Sequence, residues 1–131
     1  YAVEEKEAVL QIFRKAGKAV EIREALMDAA MAAASCSPAF GYLFIEALGD
    51  AATAMGVPRA LSYEMAAQSL LGAAKMVLET GKHPGELKDM VCSPGGTTIQ
   101  GVIALEKAGF RAAVMEAAKA TLDRAQEMKQ S

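Results

Sequence analysis

The stretch Val91-Cys92-Ser93-Pro94-Gly95-Gly96-Thr97-Thr98 is typical of a turn that runs into a helix, and the helical pattern continues to Ala108. Its two glycines permit positive φ angles and close backbone approach, and Pro94 fixes one φ angle. Thr97 or Thr98 is suited to cap the helix. Free N–H groups and the positive end of the dipole at a helix start attract anions. The pattern therefore indicates a site for a small carboxylate or phosphate, although an ordinary capped turn between two helices gives the same pattern.

The composition indicates one globular, helical domain. The 131 residues are 53% hydrophobic and 23% charged, and they include no tryptophan. Such a chain is long enough to bury a core and is too apolar to be disordered. A formal net charge of −2 gives no reason to expect nucleic acid or an anionic membrane as a partner.

Two cysteines, Cys36 and Cys92, are too few for a disulfide framework and match no metal-ligand spacing. They indicate reduced thiols in a cytoplasmic protein without a metal site, and a disulfide between them is the alternative. Residues 29–45 carry no charge, but serine, proline and glycine interrupt them, and Glu46 and Asp50 follow at once. This pattern favours a buried helix over a membrane-spanning one.

The N-terminal residues predict a helix and a strand. Val3–Ala16 is amphipathic and is followed by Gly17, and Lys18–Ile22 alternates with a period of two. Because one helix and one strand cannot form a sheet alone, this segment is interpreted as the end of an α/β domain. The alternative is a helix followed by an irregular linker.

From Glu24 onward no strand pattern occurs, so the fold class predicted for the remainder is all-α. The predicted helices span residues 24–34, 39–55, 58–80, 84–91, 97–108 and 110–128, with a break at Ser35–Pro38. The helix Ala39–Met55 is apolar on nearly all sides and is predicted to be buried on nearly all sides. The helix 58–80 is long, apolar on several faces and rich in small residues, which predicts packing against a second subunit. The alternative is a central helix covered within the chain.

Other candidate chemistry is sparse. His83 is the single histidine, and its place before Pro84 in a turn favours a structural role. Glu46 and Asp50 lie one turn apart, which suits a polar stripe or an ion pair better than a catalytic carboxylate pair. Cys92 has no evident base beside it. The chain has neither a G-x-G-x-x-G motif nor a P-loop, so it offers no dinucleotide site.

The run Leu87–Ile99 closely resembles the signature of pyrroline-5-carboxylate reductases, and further matches occur in family order and spacing. These matches are Met55-Gly56-Val57-Pro58-Arg59, Leu70–Met76, His83-Pro84-Gly85, Leu105–Phe110, and Glu24 and Asp28 leading into Pro38-Ala39-Phe40. The resemblance covers the chain from about Lys18 to its C-terminus.

The resemblance implies a two-domain enzyme that reduces 1-pyrroline-5-carboxylate to proline, the last step of proline biosynthesis. Family members have an N-terminal Rossmann domain that binds NADPH or NADH, then an all-helical domain that dimerises through interlocking long helices. Residues 1–23 would be the remnant of the Rossmann domain, and residues 24–131 the dimerisation and substrate-binding domain. The expected partner is a second copy, bound through helix 58–80 and its neighbours, in a dimer or a larger assembly. The chain alone would bind no cofactor and be inactive.

The resemblance also assigns the site. Backbone amides of the loop and helix start hold the substrate carboxylate in the family, and Thr98 matches a threonine whose hydroxyl lies near the ring nitrogen. Thr98 is thus expected to orient the imine nitrogen. The substrate-binding positions implied are Val91, Ser93, Gly95, Gly96, Thr97 and Thr98.

One segment departs from the family. Ser35-Cys36-Ser37 stands where Gly-Ser-Gly is common, so the turn there must accommodate two side chains. Two alternatives to this function remain: a reductase of similar architecture acting on another imine or hydroxy acid, and a non-enzymatic helical dimer that binds a small anion.

Overall fold

The computed structural model describes residues 3–130 and is helical throughout its regular parts. Within that range it forms seven α-helices, and α2 lies between a 3₁₀ turn (Glu24–Leu26) and a π-turn (Met31–Ser35). The α-helices are α1 (Val3–Arg14), α2 (Met27–Ala30), α3 (Ser37–Ala54), α4 (Arg59–Thr80), α5 (Pro84–Met90), α6 (Thr97–Lys107) and α7 (Phe110–Lys129).

The all-α prediction is confirmed, but the strand predicted at Lys18–Ile22 is wrong. Residues 18–23 have no regular secondary structure, and no strand forms anywhere in residues 3–130. A strand needs a neighbour to satisfy its N–H and C=O groups, and the described residues provide none. In the single chain, residues 18–23 therefore follow α1 as a segment without regular secondary structure.

The break predicted at Ser35–Pro38 is found at Cys36, a bend that separates the π-turn from α3. The Cys36 N–H donates to the Met31 carbonyl at 3.1 Å, so the backbone keeps helical angles through this bend. Cys36 has helical angles (φ −92°, ψ −27°), and Pro38 lies in the first turn of α3, where proline is tolerated. No residue other than glycine has a positive φ in the described part of the chain, so this segment needs no glycine to form.

The tightest packing joins α3 to α4. Gly49 of α3 lies so close to the ring of Tyr63 that an added Cβ would overlap it. Beside it, Ser62 and Ala66 of α4 are only 1% and 4% exposed. The Ser62 hydroxyl accepts from the Thr53 hydroxyl and donates to the Pro58 carbonyl, both at 3.1 Å. Small and hydroxyl-bearing residues thus let the two helices approach closely.

Charged and aromatic side chains connect the end of α3 to the start of α4. Arg59 donates to Asp50 and, at 2.7 Å, to the Tyr63 hydroxyl. Its guanidinium also lies 5.5 Å from the centre of the Tyr63 ring, within the range of a cation–π contact. The hydrogen bond that Arg59 donates to Asp50 raises the pKa of Arg59 above its ordinary value. These contacts fix the start of α4 against the end of α3.

A second contact joins the two ends of the domain. α2 and the π-turn pack against α7, and Ala32 of the π-turn is 4% exposed. Near the end of α7, the Lys129 ammonium lies 2.5 Å from the Asp28 carboxylate. The first and last helical segments of residues 24–129 are therefore in contact.

The burial predicted for α3 is not achieved within one chain. Tyr42 of α3 is 71% exposed, and Leu71 and Leu78 of α4 are 60% and 70% exposed. The helical run Glu24–Ala54 is by length and composition apolar enough to span a membrane, with a mean hydropathy of 1.3 over its best window. Core helices of water-soluble proteins meet the same criterion, so the measure alone favours neither environment.

The close approach at Gly49 makes a specific prediction about stability. Gly49→Ala is expected to destabilise the protein by about 1–3 kcal/mol, because the new methyl group must displace the Tyr63 ring. The matched control is Gly41→Ala on the same helix, where the nearest atom to an added Cβ is a Leu70 methyl carbon 4.0 Å away. That control should stabilise by about 0.5–1 kcal/mol. Chemical unfolding measures both, and equal effects would contradict the assigned packing.

Candidate functional site: the Ser93–Gly96 turn and the start of α6

A type II turn leads the chain into α6. The Gly96 N–H donates to the Ser93 carbonyl at 3.0 Å, and Pro94 occupies the second turn position. Gly95, in the third position, has φ +68°, a conformation that glycine adopts without strain. The Pro-Gly pair therefore has the turn chemistry that the sequence predicted.

Gly96 lies in close contact with Ser93. An added Cβ would overlap the Ser93 hydroxyl oxygen and lie 3.1 Å from the Ser93 carbonyl oxygen. Gly96, rather than a threonine, is the N-cap of α6, and no side chain caps this helix. The capping role predicted for Thr97 or Thr98 is therefore wrong, because both already lie inside the first helical turn.

The start of α6 is suited to a small anion. α6 has 11 residues, and the N–H groups of its first turn, which follow Gly96, have no acceptor within the helix. Ser93, Gly95, Thr97 and Thr98 are exposed, so N–H groups and hydroxyls there can reach a ligand in solvent. The macrodipole of α6 adds partial positive charge at this end.

α5 carries the chain to this turn. His83 is its N-cap, and the His83 Nδ1 atom accepts from the Gly85 N–H at 3.0 Å. The helix packs against α4, and Val91 and Cys92 continue from it through hydrogen bonds to Lys88 and Asp89. The structural role predicted for the single histidine is confirmed.

The predicted substrate-binding residues divide by exposure. Val91 is 65% exposed and Gly96 is half-buried.

Cys92 is a half-buried free thiol, and Lys88, four residues earlier, pairs with Asp89. This hydrogen bond to Asp89 raises the pKa of Lys88, so Lys88 stays a cation beside the turn.

The other acidic candidates do not form a second site. Asp50 pairs with Arg59 within the chain, an ion pair rather than part of a catalytic carboxylate pair. Within residues 3–130 no group of three or more histidine, cysteine, aspartate or glutamate side chains could hold a metal ion. The sequence interpretation missed the Arg59–Tyr63 contact, although the spacing of four residues on one helix is a signal for it.

An open apolar groove of about 700 Å³ lies between α3, α6 and α7. Phe44 of α3 and Phe110 of α7 meet within it, with ring centres 6.0 Å apart. The residues lining it are apolar, namely Phe40, Leu43, Phe44, Ala47, Leu48, Ala51, Gly101, Ala104, Leu105, Phe110, Ala113, Val114 and Ala117. The fold and the site together define a class of protein, a helical domain with uncovered apolar faces and one turn suited to a small anion.

Comparison with known proteins identifies the family within that class. The family model described as pyrroline-5-carboxylate reductase dimerisation matches residues 24–128. The chain is 52% identical over 123 residues to the pyrroline-5-carboxylate reductase of Escherichia coli, covering 94% of this chain and 46% of that protein. This chain belongs to the pyrroline-5-carboxylate reductase family and contains its dimerisation domain.

Solved structures agree with this assignment. A Plasmodium falciparum pyrroline carboxylate reductase with NADP bound matches 98% of this chain and 52% of its own, at 38% identity and a TM-score of 0.87. The pyrroline-5-carboxylate reductase of Coxiella burnetii matches at 32% identity and a TM-score of 0.91, covering 97% of this chain and 47% of its own. The chain spans about half the length of the relatives it matches.

The positive φ at Gly95 makes the turn testable. Gly95→Ala is expected to cost about 1–2 kcal/mol of folding free energy, because a Cβ is strained in this conformation. Gly17→Ala, at a glycine without a positive φ and with no atom within 4 Å of an added Cβ, is the control and should be neutral or stabilising. Denaturant unfolding of both variants measures the difference, and a neutral Gly95→Ala variant would contradict the assigned turn.

Proposed function

We propose that the full-length protein is an NAD(P)H-dependent pyrroline-5-carboxylate reductase that forms proline, and that this chain supplies its dimerisation and substrate-binding domain. The exposed, uncapped start of α6 beside the Ser93–Gly96 turn is the observation that carries the proposal. Membership of the family supports it.

The substrate carboxylate is proposed to bind at this turn. Backbone N–H groups of the first turn of α6 point toward an anion there, and Gly95 and Gly96 carry no side chains to block its approach. The positions proposed to hold it are Val91, Ser93, Gly95, Gly96, Thr97 and Thr98. Several N–H groups acting together with the helix dipole favour a carboxylate over a neutral group.

Thr98 is the proposed catalytic residue. Its hydroxyl is exposed one residue into α6, close to the N–H groups that would hold the carboxylate. The carboxylate and the imine nitrogen of the substrate are attached to the same ring carbon, so one hydroxyl can reach the nitrogen while the amides hold the anion. A hydroxyl is a weak acid, so its main contribution is to orient the ring, with solvent supplying the proton.

The nicotinamide cofactor is proposed to bind mainly outside this chain. NADPH or NADH supplies the hydride when it is bound, but residues 1–131 contain no glycine-rich phosphate-binding turn that would fit it. We therefore propose residues 1–23 as part of a preceding dinucleotide-binding domain and residues 24–131 as the helical domain. On this proposal, the chain alone does not catalyse hydride transfer.

The partner is proposed to be a second copy, bound through α4 and its neighbours. Leu61, Met65 and Gly72 follow one another at helical spacing along a face of α4, and the two larger side chains are about half exposed. The apolar groove between α3, α6 and α7 offers a second apolar surface for the same contact. A two-fold dimer would cover both, and larger assemblies can be built from it.

Localisation in the cytoplasm is part of the same proposal. Cys36 and Cys92 are free thiols in the structure, as expected in a reducing compartment. No nucleic-acid or membrane partner is proposed, because a net charge of −2 offers no attraction to either.

Turnover of the full-length protein tests the reaction. It should form proline from 1-pyrroline-5-carboxylate with NADPH or NADH, and Thr98→Ala should lower kcat/KM about 10–100-fold with the oligomer intact. Thr98→Ser, which keeps the hydroxyl, is the matched control and should retain most activity. No proline formation by the parent protein would contradict the proposed reaction, and favour a different imine or hydroxy-acid substrate or a non-enzymatic module. Equal kinetics of parent and Thr98→Ala would remove Thr98 from the mechanism.

A charge placed on α4 tests the interface. An added Cβ at Gly72 meets no atom within 4 Å in the single chain, so Gly72→Glu should leave each subunit folded. The carboxylate would be buried unpaired between subunits, and we expect the dimer to dissociate. Gly17→Glu, at a position with equal space, is the control and should remain dimeric. Size-exclusion chromatography with light scattering gives the masses, and a dimeric Gly72→Glu variant would contradict the assigned face.

A further inference from the structure

A lysine lies at the end of α5, close in sequence to the Ser93–Gly96 turn. Lys88 occupies the last turn of the helix, and its backbone carbonyl accepts from the Val91 N–H at 3.2 Å. The Ser93–Gly96 turn begins two residues after Val91. The side chain of Lys88 therefore starts about one helical turn of backbone away from the site proposed for the substrate carboxylate.

Three neighbouring groups act on the charge of Lys88. Its hydrogen bond to Asp89 raises its pKa most, an ionised Cys92 also raises it, and Arg111 of α7 lowers it. Cys92 is the residue directly before the turn, so the ammonium acts on charge at the entrance to the turn. Arg111 is itself paired with Glu106 at 2.6 Å. Two cations, Lys88 and Arg111, thus lie within electrostatic range of each other at this end of the domain.

The ion pair with Asp89 leaves Lys88 free to act on a ligand. The Asp89 side chain is 74% exposed, and ion pairs in contact with water contribute little free energy. A carboxylate bound at the turn can therefore draw the ammonium away from Asp89. The Lys88 side chain is 35% exposed, whereas Lys119, which pairs with Asp123 on α7, is 65% exposed. The more covered stem of Lys88 keeps its charge closer to the protein surface.

We propose that Lys88 is a specificity-determining residue, whose ammonium favours substrates that carry a negative charge at the Ser93–Gly96 turn. The inference rests on the proposed function, because it names a side chain that acts on the carboxylate bound at that site. The N–H groups of the first turn of α6 carry partial charges, whereas the Lys88 ammonium carries a full positive charge. Asp89 opposes the attraction, so these two neighbouring side chains have opposite effects on substrate binding.

Steady-state kinetics of the full-length enzyme at saturating cofactor test the proposal. Lys88→Met keeps a side chain of similar length without the charge, and should raise the KM for 1-pyrroline-5-carboxylate about fivefold at low salt with little change in kcat. Lys88→Arg should restore the KM to within about twofold of the parent. Asp89→Asn should lower the KM about twofold, because it removes the opposing charge. The KM for the nicotinamide cofactor should stay the same in all three variants.

A second lysine–aspartate pair provides the matched control. Lys119→Met and Asp123→Asn remove the same two charges from α7, where Asp123 raises the pKa of Lys119 as Asp89 raises that of Lys88. Neither control should change the KM for the substrate. A change equal to that of the Lys88 and Asp89 variants would show an effect of net charge, and would contradict the role of Lys88.

Ionic strength separates an effect of charge from an effect of structure. Between about 20 mM and about 200 mM salt, the KM of the parent should rise more steeply than that of Lys88→Met, because salt screens the attraction. Equal salt dependence, a Lys88→Arg variant as impaired as Lys88→Met, or a KM that Asp89→Asn raises would overturn this inference alone. A parent enzyme that forms no proline would instead contradict the proposed function, and the inference would fall with it.

Discussion

The dominant constraint on this molecule is apolar surface that one chain cannot cover. α3 and α4 approach each other through glycine, alanine and serine, so their tightest contact buries small residues and turns large ones outward. Tyr42, Leu43, Leu71 and Leu78 remain more than half exposed as a result. Apolar surface stabilises the folded protein only when it is removed from water, so these exposed side chains contribute little until another surface covers them. The membership of a dimerisation family accounts for this arrangement without invoking a membrane.

Two residues without side chains, Gly95 and Gly96, shape the candidate site in a similar way. Gly95 supplies the positive φ of a type II turn, and Gly96 lets the Ser93 side chain fold over the start of α6. Because Gly96 is the cap position and has no side chain, the helix N–H groups stay available to a ligand rather than to a capping oxygen. α5, which His83 caps and which packs against α4, precedes this turn in the chain.

Local chemistry predicted most of the helices, since glycine or proline marks the starts of α4, α5, α6 and α7 and the ends of α4 and α6, in the sequence as in the structure. The failures share a cause, which is that the deciding contact lies outside the local pattern. Residues 18–22 alternate like a strand but have no neighbour to pair with among the described residues. The burial expected of α3 depends on a surface outside the single chain. For the site, the motif placed the turn correctly, but no pattern could distinguish Gly96 from Thr97 as the cap.

Sedimentation equilibrium of the unmodified full-length protein, from micromolar to nanomolar concentration, tests the central claim most directly. If α3, α4 and the groove between α3, α6 and α7 are covered by a second copy, the mass will be twice that of one chain, or a multiple of that pair, down to low concentration. A protein that sediments as a folded monomer throughout this range would contradict the claim.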